Sequence, residues 1–154
     1  MRPSLHVRAV ASQLGLDLNT VSVWSFGDSD AMARDLAALV VSGQKTATCG
    51  LEWSYEHDEV PIPKIGDVSI VTSFDGAEVL VVIETIEVTL GPMSVCTEDF
   101  ARDEGEGDLS LSWWREAHRR FFARECARIG RTPTEEMVLV YERLRVLHVP
   151  AAAC

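Results

Sequence analysis

Apolar residues recur along this chain at two spacings, and the switches between them mark out its elements. Residues 5 to 14 suit a short helix that Gly15 ends. A clearer helix is predicted over about Asp30 to Val41, with Met32, Leu36, Leu39 and Val40 on its apolar side, Asp28 or Ser29 as N-cap and Gly43 just past its end. The stretch from Leu51 to Lys64, with Trp53, Tyr55 and two prolines, reads as a loop, and Gly66-Asp67 as the turn before a strand at Val68 to Thr72. Asp75-Gly76 is a hairpin signal joining that strand to a long β run from Glu78 to Leu90, apolar on both sides in its first half. Two helices follow, Thr97 to Asp103 and Ser110 to Ile129, separated by the acidic, glycine-rich turn Glu104-Gly-Glu-Gly-Asp108. The second carries Leu111, Trp114, Phe121, Phe122, Cys126 and Ile129 on one side and is closed by Gly130. A last strand, Met137 to Val149, places Val138, Val140, Leu144 and Val146 on one face, and the period of two puts Glu142 among them.

Strands on either side of a helical insert, without repeated βαβ units, predict an α+β domain built on a small mixed or antiparallel barrel. No Gly-rich fingerprint follows a strand, so a Rossmann reading fails. The 154 residues, 47% of them hydrophobic, suffice for one core. No apolar run approaches the roughly 18 residues of a membrane helix, and no secretory signal is evident at the start, so a cytoplasmic protein is expected. The four cysteines, Cys49, Cys96, Cys126 and Cys154, form no CxxC pair and are read as free thiols. A formal charge of −10 argues against binding extended duplex DNA, which needs a basic face, but leaves room for a pocket holding one or two nucleotides. Nothing in the sequence sets an oligomeric state.

The candidate chemistry is concentrated at a few places. The acidic turn offers Glu106 and Asp108 as oxygen ligands for a divalent cation, or as a solvated cap for the next helix. His118 shares the apolar helix side and is read as a hydrogen-bonded core residue, and Trp113, Trp114, Phe121 and Phe122 as core aromatics. Trp53 and Tyr55, in the loop, are placed to stack on a base. Glu142, facing inward from a strand, needs a partner, for which Lys45 or Arg115 is available.

Several segments together resemble the signatures of ASCH-domain proteins. They are Trp24-Ser-Phe-Gly-Asp28, Gly43-Gln-Lys-Thr-Ala-Thr48, Pro63-Lys-Ile-Gly-Asp67, Phe100 to Asp108, Trp114 to His118 with Phe121-Phe122, and Tyr141-Glu-Arg143. The resemblance implies a PUA-like barrel with flanking helices over 24–149, preceded by an N-terminal extension at 1–23 and followed by a flexible tail at 150–154. It also implies association with RNA. Some members are reported as amidohydrolases of N4-acetylcytidine, others as single-strand ribonucleases, and a barrel of this kind can also bind RNA without chemistry. Carried over residue by residue, the amidohydrolase groups fall on Lys45, Thr48 and Glu104, which are expected to converge; Thr46, Trp53, Tyr55, Arg115 and Glu142 are the expected substrate contacts. No cofactor is expected, except a divalent cation such as Mn or Mg if the reaction is ribonucleolytic. The implied partners are single-stranded RNA or a modified nucleoside. Lys45 is expected at the barrel mouth, outside the core, where its pKa falls enough to serve as base for Thr48 and where Lys45→Met leaves stability little changed.

Overall fold

The computed structural model describes residues 2–151. Its longest strand, β4 (Val79–Gly91), runs antiparallel to β3 (Val68–Thr72) on one side and β5 (Leu139–His148) on the other. The Asp75-Gly76 turn joins β3 to β4: Gly76 takes φ +78°, and Asp75 Oδ1 accepts hydrogen bonds from Ala77 N and the Ser73 hydroxyl. A short β1 (Ser22–Trp24) adds parallel to β3, and β2 (Ala47–Leu51) adds antiparallel to β5. The result is a mixed five-stranded sheet of order β1-β3-β4-β5-β2. Its register slips at Val71/Thr72, Val82/Ile83 and Thr85/Glu87. Such slips increase local twist and curl the sheet into a half-barrel.

Helices cover both faces. Between β1 and β2 lies α2 (Asp30–Ser42), capped by the Ser29 hydroxyl and ended by Gly43 in the left-handed region. Its buried residues are Ala33, Ala37 and Val40. The expected stripe of Met32, Leu36 and Leu39 flanks that line, because small side chains let the helix sit close against Val71, Val81, Ile83 and Leu144. On the other face, α4 (Glu98–Glu104) and α5 (Leu111–Ile129) bring Phe100, Trp114, Phe122 and Cys126 onto Leu51, Leu139 and Tyr141. The buried line of α5 is Trp114, His118, Phe122 and Cys126, every fourth residue.

Three features depart from the sequence pattern. The segment after Leu51 is not loop throughout: Glu52–His57 forms α3, tied to α5 by a 2.9 Å hydrogen bond from the Ser54 hydroxyl to Glu125. The strand β1 is too short to show an alternation. The N-terminal helix α1 (Leu5–Leu14) is part of the core, its Val7, Val10 and Ala11 packing on Ile70, Val79 and Val82. Among the described residues no helix is long and apolar enough to cross a membrane. Cys49, Cys96 and Cys126 are free thiols, while Cys154, with most of the expected tail, lies outside the described residues.

Candidate functional site

The polypeptide leaves α2 through Gly43 and is at once stitched to the end of α4. Thr46 N donates to Asp103 O at 2.7 Å, and the Gln44 side-chain amide donates to Gly105 O at 2.6 Å. Gly105 makes this approach possible: it has φ +73°, and a Cβ there would stand 2.5 Å from Gln44 O. Gly105→Ala is therefore expected to lower stability by about 1–3 kcal/mol, read from urea unfolding.

This stitch carries Lys45 into the protein. Its Nζ donates to Glu104 Oε1 at 3.0 Å, to Glu104 O at 3.3 Å and to Glu106 Oε2 at 2.8 Å. Both Lys45 and Glu104 are only 1% exposed, so the expectation of a lysine at the barrel mouth is corrected. The second Glu104 oxygen accepts from Trp114 Nε1 and lies 3.2 Å from His118 Nε2. His118 Nδ1 is 2.8 Å from Trp114 O, which can only accept, so Nδ1 carries a proton. With Nε2 facing a carboxylate, the ring is placed to be an imidazolium. It also stacks on Trp114 at 4.2 Å, so His118 is the hydrogen-bonded core residue its pattern suggested.

The electrostatics follow from these contacts. Burial disfavours the Lys45 charge, yet Glu104 and Glu106 overcome it and hold the amine above its ordinary value. Burial likewise works against Glu104, but Lys45 and His118 outweigh it and hold the carboxyl well below the usual range. For Glu106 burial wins and, with help from the Glu104 charge, pushes the carboxyl up. His118 is raised because Glu104 outweighs its desolvation. A neutral Lys45 is thus disfavoured, and the base role expected of a depressed lysine has no support in this arrangement.

Thr48 does not join the pair. Its partner across the β2–β5 ladder is Glu142, and alternation turns it away from Cys49, whose sulfur lies on the side of Glu104 and His118. Glu142 is buried, at 4% exposure, as its strand phase predicted. Its partner is not a cation: the Thr85 hydroxyl donates to Oε1, and neither Lys45 nor Arg115 reaches it. Burial, aided by the nearby Asp67 charge, raises its pKa despite the Thr85 hydrogen bond. A raised carboxyl stabilises the fold below the unfolded value near 4.5, and that contribution is lost as pH rises through the folded value. Glu142→Gln escapes the loss, so its melting temperature is expected to exceed wild type by a few degrees at pH 7, with the advantage vanishing toward pH 4.

The remaining expected contacts divide. Tyr55 lies over Gly50, where a Cβ would meet its hydroxyl at 2.8 Å, and its own pKa is pushed up by burial and by Glu142. Trp53 instead packs on the α4–α5 core, with the Arg131 guanidinium 4.6 Å above its ring, and so does not flank Glu142 as a free stacking surface. Arg115 sits close enough to Cys96 to act on its thiol, and Thr46 is exposed, its hydroxyl 3.4 Å from Asp103 O. Asp108 accepts from Ser110 N in the turn leading into α5, and Glu106 is held by Lys45, so the two do not share one ion site as a pair.

One donor set escaped the sequence reading. Cys49, Glu104 and His118 offer ligand atoms within 4.8 Å of one another. Cys49 alternates with Thr48, a spacing that pointed to this face once Glu104 was placed. The set fits a cation poorly: the Lys45 ammonium touches the same carboxylate, His118 turns an N–H toward it, and burial pushes the Cys49 thiol well up.

A curled, mixed five-stranded sheet flanked by helices, with a buried lysine–glutamate pair where β2 meets α4, defines a PUA-like α+β domain. The ASCH domain model matches residues 22–148, and the chain belongs to the ASCH family. A protein from Enterococcus faecalis V583 is similar at 34% identity, over 94% of this chain and 87% of that one, with a TM-score of 0.79. An ASCH domain from Lactobacillus crispatus JV V101 is similar at 35% identity, over 92% and 91% of the two chains, with a TM-score of 0.75. An ASCH structure from Zymomonas mobilis shares the fold at 15% identity, 82% and 67% coverage and a TM-score of 0.54. No curated protein matches the chain significantly.

Proposed function

We propose that this protein binds RNA or a modified nucleoside beside β2 and hydrolyses the amide of an acylated base of the N4-acetylcytidine kind. The observation that carries the reading is the arrangement around β2. A threonine hydroxyl faces a buried carboxylate across one rung, Thr48 opposite Glu142, while a buried cation is fixed at the strand's entrance by Glu104. Buried ionisable groups with displaced pKa values collect at working sites more often than elsewhere. Thr48 supplies the nucleophilic hydroxyl: its proton passes to the Glu142 carboxylate on the same rung and on to the leaving amine as the amide C–N bond breaks, and water then hydrolyses the acyl ester to free the carboxylic acid and Thr48. Lys45 and Glu104, on the other side of the sheet, hold the entrance of β2 in place and so act as positioning residues for Thr48. The acidic chain suits a small ligand better than a long RNA tract, and the free thiols fit a reducing, cytoplasmic setting.

The test is incubation with N4-acetylcytidine and, separately, with single-stranded RNA, each with EDTA or with Mn²⁺. Release of cytidine alone supports the amidohydrolase; shortened RNA replaces it with a ribonuclease; neither product leaves a binding module. Thr48→Val, nearly isosteric, is expected to cut cytidine release by about a hundredfold or more with little change in melting temperature.

A further inference from the structure

A cleft of about 460 Å³ opens where the turn Met93–Val95, the middle of α5 and the connection from α5 to β5 meet, and the proposed reaction makes no use of it. It is lined by Met93, Arg119, Pro133, Thr134, Glu135 and Met137. Arg119 follows the buried His118 on α5 and so stands at the border of the helix's inward line, with its side chain exposed. Met93 and Met137 are the floor. Both belong to the buried cluster around Trp114 and Leu139, with 5% and 6% of their surface exposed. Methionine is unbranched and polarisable, so such a floor adapts to apolar groups of different shapes. The rim is charged, and its charges are unpaired. Among the arginines of α5, Arg120, Arg124 and Arg128 each meet a carboxylate. Arg115 and Arg119 meet none among the described residues, and Glu135 on the rim likewise meets no cation there, although Arg119 and Glu135 line the same cleft. An apolar floor between an unpaired cation and an unpaired anion is complementary to a zwitterion that carries an apolar group. A simple anion would face Glu135, an alkyl amine would face Arg119, and a neutral apolar molecule would leave both charges without a partner.

We propose that this cleft binds a free α-amino acid with an apolar side chain of the size of leucine or methionine. Arg119 takes the carboxylate through its forked N–H groups, Glu135 takes the ammonium, and the side chain lies on Met93 and Met137. The site is independent of the reaction proposed at β2: none of its residues belongs to the Thr48–Glu142 rung, and it holds its ligand whether or not an acylated base is hydrolysed there.

The experiment is a titration of the wild-type protein with L-leucine, followed by backbone amide and methionine methyl shifts, beside N-acetyl-leucine, leucinamide and glycine. The first analogue lacks the ammonium, the second the carboxylate and the third the side chain. Leucine is expected to reach half-saturation below about 1 mM, with shifts centred on Met93, Arg119, Thr134 and Met137. Each analogue is expected to bind about tenfold or more weakly. Arg119→Gln and Glu135→Gln, both at exposed positions, are each expected to weaken leucine by about tenfold and to leave the melting temperature unchanged. No saturable shift with leucine up to about 10 mM, shifts centred elsewhere in the molecule, or an analogue that binds as tightly as leucine would each overturn the proposal. Leucine binding that both variants leave intact would overturn it equally, since the charges of the rim would then not hold the ligand. The analogue series needs only wild-type protein, so it decides the matter even if a variant fails to fold.

Discussion

Lys45→Met is expected to remove about 3–5 kcal/mol of stability, a large part of what a domain of this size possesses. The substitution keeps the aliphatic stem and leaves Glu104 and Glu106 facing a buried space without their cation. A buried charge whose partner is deleted loses the attraction while keeping its desolvation cost. Urea unfolding followed by the fluorescence of the four tryptophans measures the change, since Trp114 touches Glu104 directly. Glu104→Gln is expected to be nearly as damaging, because it strands Lys45 and His118 together. The double variant is the control: a pair that matters as a pair leaves it less damaged than the sum of the singles, by at least about 1 kcal/mol. Strict additivity, or a Lys45→Met protein as stable as wild type, would show that the pair is not the keystone of the α4–β2 junction.

Stability is expected to fall on both sides of neutrality, from different residues. On the acid side, Glu104 has a depressed folded pKa, so its contribution is complete above the unfolded carboxylate value and is lost as pH falls through the folded one. On the alkaline side, His118 has a raised folded pKa. Its contribution is complete below about 6.5 and is lost as pH rises through the folded value. His118→Gln should therefore flatten the alkaline limb and leave the acid limb in place. Melting temperatures at half-unit pH intervals test this, and a variant whose alkaline limb matches wild type would mean that His118 is neutral in the fold.

Much of the architecture is legible in the chain because local signals agree with one another. Ser29 and Gly43 bound one helix and Ser110 and Gly130 another, and the hydroxyl caps and left-handed glycines are found where composition puts them. The helix α3 lacks such signals: Leu51 precedes it without a side-chain cap, so only its packing on α5 marks it. At the site, the resemblance to ASCH signatures implied that Lys45 and Glu104 meet, and they are in contact although 59 positions separate them. The expected convergence of Thr48 ignored a rule available from the sequence alone. Positions three apart on an extended strand face opposite ways, and Thr48 follows Lys45 by three. The burial of Glu142 was readable from its phase, but its Thr85 partner depends on the register slip next to Thr85, which no single-strand pattern contains.

The match to the ASCH domain model begins at residue 22, whereas the apolar contacts of β3 and β4 extend back to Val7. Trimming the chain to residues 22–148 would strip Val7, Val10 and Ala11 from Ile70, Val79 and Val82, baring a greasy patch on two central strands. For this protein, then, the segment that the domain model delimits is smaller than the packed unit, and the difference is the buried face of one short helix.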